Sequence, residues 1–433
     1  MLEKMDVRVK RLIALALACV ALLLIGGYLF FFRRDKSSND ESAKVQPQEQ
    51  LSHRQKLRLD RIAMLEKKMF PDNIPSKKIV GYYASWAAYE DYTPLFIDGS
   101  KVTHINYAFA DISEDLLVEV GDPEVDMDNF QDLRELKEFF PHLKTLISVG
   151  GWTWSGRFSD AASTAKRREA FADSAVDFML NYGFDGIDLD WEYPVAGGMS
   201  ENRVRPEDKQ NFTALIKTIR EKLDKQSAED GKEYLLTIAG AASEKYINNI
   251  EMNKLSKYLD YINVMTYDIN GPWDSYNDFN AALYPHDKKG KDQQWSVSQG
   301  IKLYLAQGVP SAKLVMGVPF YGYKYELKEK GQTDDEGLLQ SFSQGMYMDC
   351  GRIEKEFSQK QSFKRFWQDT SKVPWLYDGN TFITYEDAQS MTEKVRYAVD
   401  MNLGGLMIWE LSNDPDNVLL NAINDEFSNE AEK

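Results

Sequence analysis

Phe184-Asp185-Gly186-Ile187-Asp188-Leu189-Asp190-Trp191-Glu192-Tyr193-Pro194 sets four carboxylates into an apolar, strand-like run. A strand alternates faces with period 2, so Asp188, Asp190 and Glu192 project from one face. Ile187, Leu189 and Trp191 project from the other. Burying an acidic stripe is costly because the carboxylates lose hydration. Like charges this close do not all ionise, so at least one proton is held to higher pH. A protonated carboxyl beside ionised ones suits general-acid chemistry at neutral pH. The two bland readings are a Ca²⁺ site and a solvated acidic face. A Ca²⁺ loop calls for Gly and Asn turn chemistry. A solvated face would not carry Ile, Leu and Trp between its acids.

Outward from this stretch, from residue 79 on, β-rich runs alternate with helical ones, the pattern of βα units on a parallel sheet. Candidate strands are 79–86, 102–110, 144–151, 184–192, 234–242, 259–268, 313–322 and 405–411. Helical patterns include 166–182, 205–225, 297–307 and 385–401. Eight strands with intervening helices predict a (β/α)8 TIM barrel, an α/β fold whose active site lies at the C-terminal ends of the strands. Residues 323–384 interrupt the alternation with mixed aromatic and charged residues. Sixty structureless residues inside a compact domain would be unusual.

The same run resembles the DxxDxDxE signature of glycoside hydrolase family 18, the chitinases, at Asp185, Asp188, Asp190 and Glu192. Other stretches resemble further family motifs, in order: Gly81-Tyr82-Tyr83-Ala84-Ser85-Trp86, Asn106-Tyr107-Ala108-Phe109 and Ser148-Val149-Gly150-Gly151-Trp152. Met265-Thr266-Tyr267-Asp268, Gly317-Val318-Pro319-Phe320-Tyr321-Gly322 and Gly404-Gly405-Leu406-Met407-Ile408-Trp409-Glu410 follow. The stretch from Trp191 through Asn211 looks like bacterial chitinases in particular.

The resemblance implies substrate-assisted hydrolysis, for which this family departs from the two-carboxylate scheme. Glu192 is then the general acid. Asp190 holds the acetamido N–H of the sugar, Asp188 shares a proton with Asp190, and Tyr267 holds the acetamido carbonyl. Trp409 becomes the floor under the reacting sugar, and Asp268 and Met265 further sugar contacts. Tyr82 and Ser148 are placed near Asp188 on the substrate side. Trp152, Trp154, Trp273 and Tyr321 are candidates for neighbouring subsites, each as readily explained by core packing. Asp185, of opposite strand parity, is structural support, as are Gly150 and Gly151. The resemblance also implies that 323–384 is a small α+β insertion walling a deep cleft. One departure stands out: many members carry Arg where Tyr323 follows Gly322, which bears on subsite contacts.

The net charge of −16 argues against a nucleic acid or an anionic membrane surface as target and is compatible with a neutral polymer. His53, His104, His142 and His286 have no ligand spacing, so neither metal nor cofactor is expected. Cys350 is the one Cys downstream of the apolar N-terminal segment, which leaves the barrel region without an internal disulfide.

Residues 12–32 carry no charge, and as a helix they span about 31 Å, the thickness of a bilayer core. The run is longer than a signal-peptide core. It predicts an uncleaved anchor within 1–34, single-pass in the cell membrane with the catalytic part outside. Secretion after cleavage near Ala16-Leu17-Ala18 is the alternative. Residues 35–75 read as a polar linker and a stalk helix opening near Ser52, with Leu59, Ile62, Leu65 and Met69 as its apolar stripe. Residues 76–433 are the catalytic barrel, expected to act as a monomer on chitin or another N-acetylglucosamine polysaccharide. Two other readings remain: an endo-β-N-acetylglucosaminidase acting on N-glycans or peptidoglycan, and a chitin-binding lectin on the same scaffold.

Overall fold

The computed structural model describes residues 51–67, 75, 77–286, 295–329, 331 and 336–431. The apolar run 12–32 and the linker 35–50 lie outside the described residues, as does Met69. Among the described residues no helix is long and apolar enough to cross a membrane.

Eight parallel strands close on themselves. They are β1 (Lys78–Ala84), β2 (His104–Ile112), β3 (Lys144–Gly150), β4 (Gly186–Asp190), β5 (Leu235–Ala241), β6 (Tyr261–Met265), β7 (Leu314–Pro319) and β8 (Gly405–Trp409). Each pairs with the next. β8 returns to β1 in the register Lys78↔Gly405 through Gly81↔Ile408. Closure leaves no unpaired edge in the barrel. The expected barrel is therefore present.

Period 2 sorts the side chains of these strands. Val80, Tyr82, Tyr261, Val315 and Met407 pack inside the barrel. Ile147, Ile187, Leu189, Ile238 and Ile262 are buried in the larger core shared with the helices. Among those helices are Ala165–Tyr182, Asp208–Asp230, Val297–Ala306 and Ala388–Asp400, each overlapping its predicted span. Trp191 fixes the outer face of the decisive stretch. It is buried, stacked on Phe158 with centroids 5.3 Å apart and edge-on to Phe212 at 5.3 Å. A buried aromatic of this kind contributes about 2 kcal/mol, and more through ring geometry. That anchor turns Asp190 and Glu192 toward the barrel mouth.

The predicted strand 313–322 is two strands. β7 ends at Pro319, and Tyr321–Leu327 starts a separate antiparallel sheet. That sheet has five strands, in the spatial order 342–349, 321–327, 381–384, 373–377, 364–368. Its core is aromatic, with Tyr323, Tyr325, Trp375, Tyr377 and Phe382 buried together. The insertion thus begins at Tyr321 rather than at 323.

The helix His53–Lys67 lies against the barrel. Leu65 is buried and Ile62 packs on the core, but Leu59 is exposed, contrary to the apolar stripe expected of it. Docking is largely through arginines. Arg58 Nε donates to Asp132 at 2.7 Å, and Arg61 Nε donates to the Leu95 carbonyl at 2.9 Å.

Candidate active site

The carboxylates of β4 meet at the C-terminal mouth of the barrel. Asp188 is fully buried. Its carboxylate accepts hydrogen bonds from Tyr82 Oη (2.7 Å), Ser148 Oγ (2.7 Å), Thr237 Oγ1 (2.5 Å) and Asn263 Nδ2 (3.3 Å). These donors come from β1, β3, β5 and β6, so Asp188 ties four strands together. Burial raises its pKa, and the donors oppose that by favouring the ionised form. No hydrogen bond joins Asp188 to Asp190 here, so the expected shared proton is not seen as a direct contact.

Asp190 is buried as well, and its Oδ1 has no partner in the protein. Burial pushes its pKa well up, and the charges of Glu192 and Asp188 push it further. Glu192 sits just past the strand end on the cleft wall. Burial pushes its carboxyl up to about 7; a hydrogen bond with Tyr193 opposes the rise, and Asp268 adds to it. Asp190 and Glu192 titrate as a coupled pair. Both acids at the mouth therefore hold their protons to higher pH than ordinary carboxylates.

Gly150 explains how the chain comes so close. Its φ is +102°, and a Cβ there would stand 2.6 Å from the Asp190 carbonyl oxygen. Only glycine meets both demands. Asp185 faces away from the mouth. It accepts from Lys137 Nζ at 2.7 Å and from the Thr145 N–H at 2.9 Å.

A cleft of about 890 Å³ opens over these groups. Its walls include Tyr82, Asp190, Glu192, Met265, Tyr267, Asp268, Tyr321 and Trp409, with Trp152 and Trp154 on one side. Trp409 lies at the centre. Its ring centroid is 5.7 Å from Phe109, nearly parallel at 24°, and 5.5 Å from Tyr82. Tyr267 reaches Met407 Sδ with its hydroxyl at 3.8 Å. Asp268 accepts from Tyr321 Oη at 2.6 Å and Tyr323 Oη at 2.7 Å. Tyr323 thus meets Asp268 with a neutral hydroxyl.

One expectation changes: Ser148 bonds Asp188 and is not among the residues lining the cleft. Trp273 is 62% exposed and edge-on to Tyr323. Trp86, which the sequence reading left inside a strand motif, lines the cleft half-exposed, 6.4 Å from Trp409. Its neighbours Tyr82 and Ala84 were the available signal, since a barrel strand followed by an aromatic puts that aromatic at the mouth. Thr237 and Asn263 were missed for a different reason: nothing in their local sequence marks a polar residue as an Asp188 partner.

Comparison with known proteins fits this geometry. The profile of Glycosyl hydrolases family 18 matches residues 78–414. This chain belongs to that family. Chitinase A1 of Niallia circulans is 43% identical over 406 residues, covering 80% of this chain and 58% of that protein. Chitotriosidase-1 of Mus musculus is 31% identical, covering 78% of this chain and 73% of its own. Among solved structures, chitinase ChiA74 from Bacillus thuringiensis superposes with a TM-score of 0.75 at 38% identity, covering 82% and 70% of the two chains. A family 18 N-acetylglucosaminidase from Paenibacillus barengoltzii gives 0.72 at 36% identity, covering 81% of this chain and all of that one. The family match takes in all eight barrel strands and the inserted sheet.

Proposed function

We propose that this family 18 enzyme hydrolyses β-1,4 bonds between N-acetylglucosamine units of chitin or chitooligosaccharides, with retention of configuration. The observation that carries this reading is a buried Glu192, its proton held up to about 7 by burial, beside an Asp190 whose Oδ1 has no protein partner, both facing an aromatic-lined cleft. Glu192 gives its proton to the glycosidic oxygen as that oxygen's bond to C1 breaks. The acetamido oxygen of the same sugar forms a bond to C1 from the opposite face, giving an oxazolinium ion. Asp190 Oδ1 accepts a hydrogen bond from the acetamido N–H, which stays on nitrogen, and in its ionised form Asp190 balances the positive charge. Tyr267 holds the acetamido oxygen in line for attack. Glu192, now a carboxylate, takes a proton from water as the water oxygen bonds to C1 and the oxazolinium opens. Trp409 stacks on the apolar face of the reacting sugar.

The test is Glu192→Gln, with turnover and oligosaccharide binding measured separately. Removal of a general acid costs about 10²–10⁴ in rate. Turnover should collapse while binding of N-acetylglucosamine oligomers persists. Unchanged turnover refutes the role of Glu192. Wild-type binding without turnover favours the lectin reading. A second enzymatic reading, removal of N-acetylglucosamine from other glycans, draws support from the likeness to the Paenibacillus barengoltzii N-acetylglucosaminidase.

We also propose that residues 12–32 anchor a monomeric catalytic domain to the outer side of the cell membrane. Their uncharged length supports an anchor, and Lys4, Arg8, Lys10 and Arg11 before it, against Arg33, Arg34 and Lys36 after it, give a slight bias toward a cytoplasmic N-terminus. Membrane fractionation with N-terminal sequencing tests it: a mature chain beginning after Ala18 favours secretion instead.

A further inference from the structure

Both polar backbone atoms of Glu192 are held by side chains from other segments. Its N–H donates to Ser155 Oγ at 2.8 Å. Its carbonyl accepts from Asn202 Nδ2 at 2.9 Å. Ser155 lies in the turn that follows β3, is fully buried, and is also bonded to the carbonyls of Gly151 (2.7 Å) and Asp190 (3.1 Å). Asn202 lies in the loop that follows β4. Its amide is enclosed: a Cβ on Gly198 would come within 2.6 Å of its Nδ2 and 2.0 Å of the Glu192 oxygen. A Cβ on Gly156 would stand 3.4 Å from its Oδ1. The loop is in turn braced on the segment after β3, because the Arg203 N–H donates to the Gly156 carbonyl at 3.3 Å and Arg205 bonds Ser159 and Asp160.

We infer that Ser155 and Asn202 are positioning residues that clamp the Glu192 peptide from both sides and so set where its carboxyl meets the scissile oxygen. β4 ends at Asp190, so the barrel ladder does not hold Glu192 itself. A strand end without ladder bonds frays unless other groups satisfy its backbone. Here the clamp ties the acid to the segment carrying Gly150, Gly151 and Trp152, so the cleft wall and the acid move as one body. Catalysis of this kind is sensitive to small misplacement, about 10²-fold for 1 Å. Neither side chain lines the cleft, so substrate binding does not depend on them directly.

This inference rests on the proposed hydrolase reading. The test compares wild type, Ser155→Ala and Asn202→Ala on defined N-acetylglucosamine oligomers, well below each melting temperature. The expected result is a fall in kcat of about tenfold or more for each variant, with KM changed less than twofold. The alkaline limb of the kcat profile should shift to lower pH as the loosened Glu192 carboxyl gains access to water. Ser155 is the more deeply buried, so Asn202→Ala, at a partly buried site, keeps the test open if Ser155→Ala fails to fold. Wild-type kcat and an unmoved limb in a folded Asn202→Ala enzyme overturn the inference, even if its melting temperature is lower. Absence of turnover in the wild type overturns the hydrolase reading instead.

Discussion

At the scale of single residues, the chemistry rests on where protons sit at the barrel mouth. Glu192 must be protonated to donate, and burial holds its proton to about 7. The kcat profile should therefore fall on its alkaline side with an apparent pKa near that value, well above an ordinary glutamate. A pH series with a soluble oligomer checks this, and a limb below 5.5 would contradict it. The pair titrates jointly with Asp190, so the limb belongs to the pair rather than to one acid. Asp188, Asp190 and Glu192 were legible from spacing alone, because period 2 dictates a shared face. Their partners were less so. Tyr82 and Ser148 lie in recognisable motifs, but Thr237 and Asn263 reach Asp188 only because the closed barrel brings β5 and β6 beside β4.

At the scale of elements, strand identity was read well and strand ends were not. The run 313–322 looks continuous because Pro319, Phe320 and Tyr321 are all apolar and buried, yet the chain changes sheets there. The helix His53–Lys67 is present, but only Ile62 and Leu65 of its expected stripe pack on the core, while Leu59 is exposed. Arg58 pairs with the nearly buried Asp132, a contact invisible to hydrophobic periodicity. Arg58→Ala should cost about 1–2 kcal/mol by leaving Asp132 short of a partner, without altering kcat. Thermal unfolding beside steady-state kinetics checks it, and an altered kcat would show that this helix influences the mouth. The turn after β8 offers a second test. Glu410 is buried, bonds Ser412 through its N–H (3.0 Å) and hydroxyl (2.5 Å), and is pushed up to about 7 chiefly by burial. Between about pH 4.5 and 7 the folded chain keeps a proton that the unfolded chain has lost, so this group's contribution falls as pH rises. Glu410→Gln stays neutral throughout. Its stability relative to wild type should rise across that window, by about 3 kcal/mol at most. A stability difference independent of pH would contradict this origin.

At the scale of the whole molecule, a closed barrel brings side chains from β1, β3, β5 and β6 onto one carboxylate of β4, and an inserted sheet raises a wall beside them. The count of strands and the interruption before β8 made this architecture legible, since alternation with one long break admits few other topologies. The depth of the cleft was not legible, because it depends on how the five-stranded sheet leans over the mouth. The account's central claim is that C1 is displaced twice, first by the acetamido oxygen of the substrate and then by water, rather than once by water. Its consequence is retention: water must enter from the face the leaving sugar left. The direct measurement is the anomeric state of the first product released from N-acetylglucosamine tetramer by residues 51–433, followed by NMR before mutarotation. Newly formed β-anomer is the predicted result, and newly formed α-anomer would contradict the mechanism.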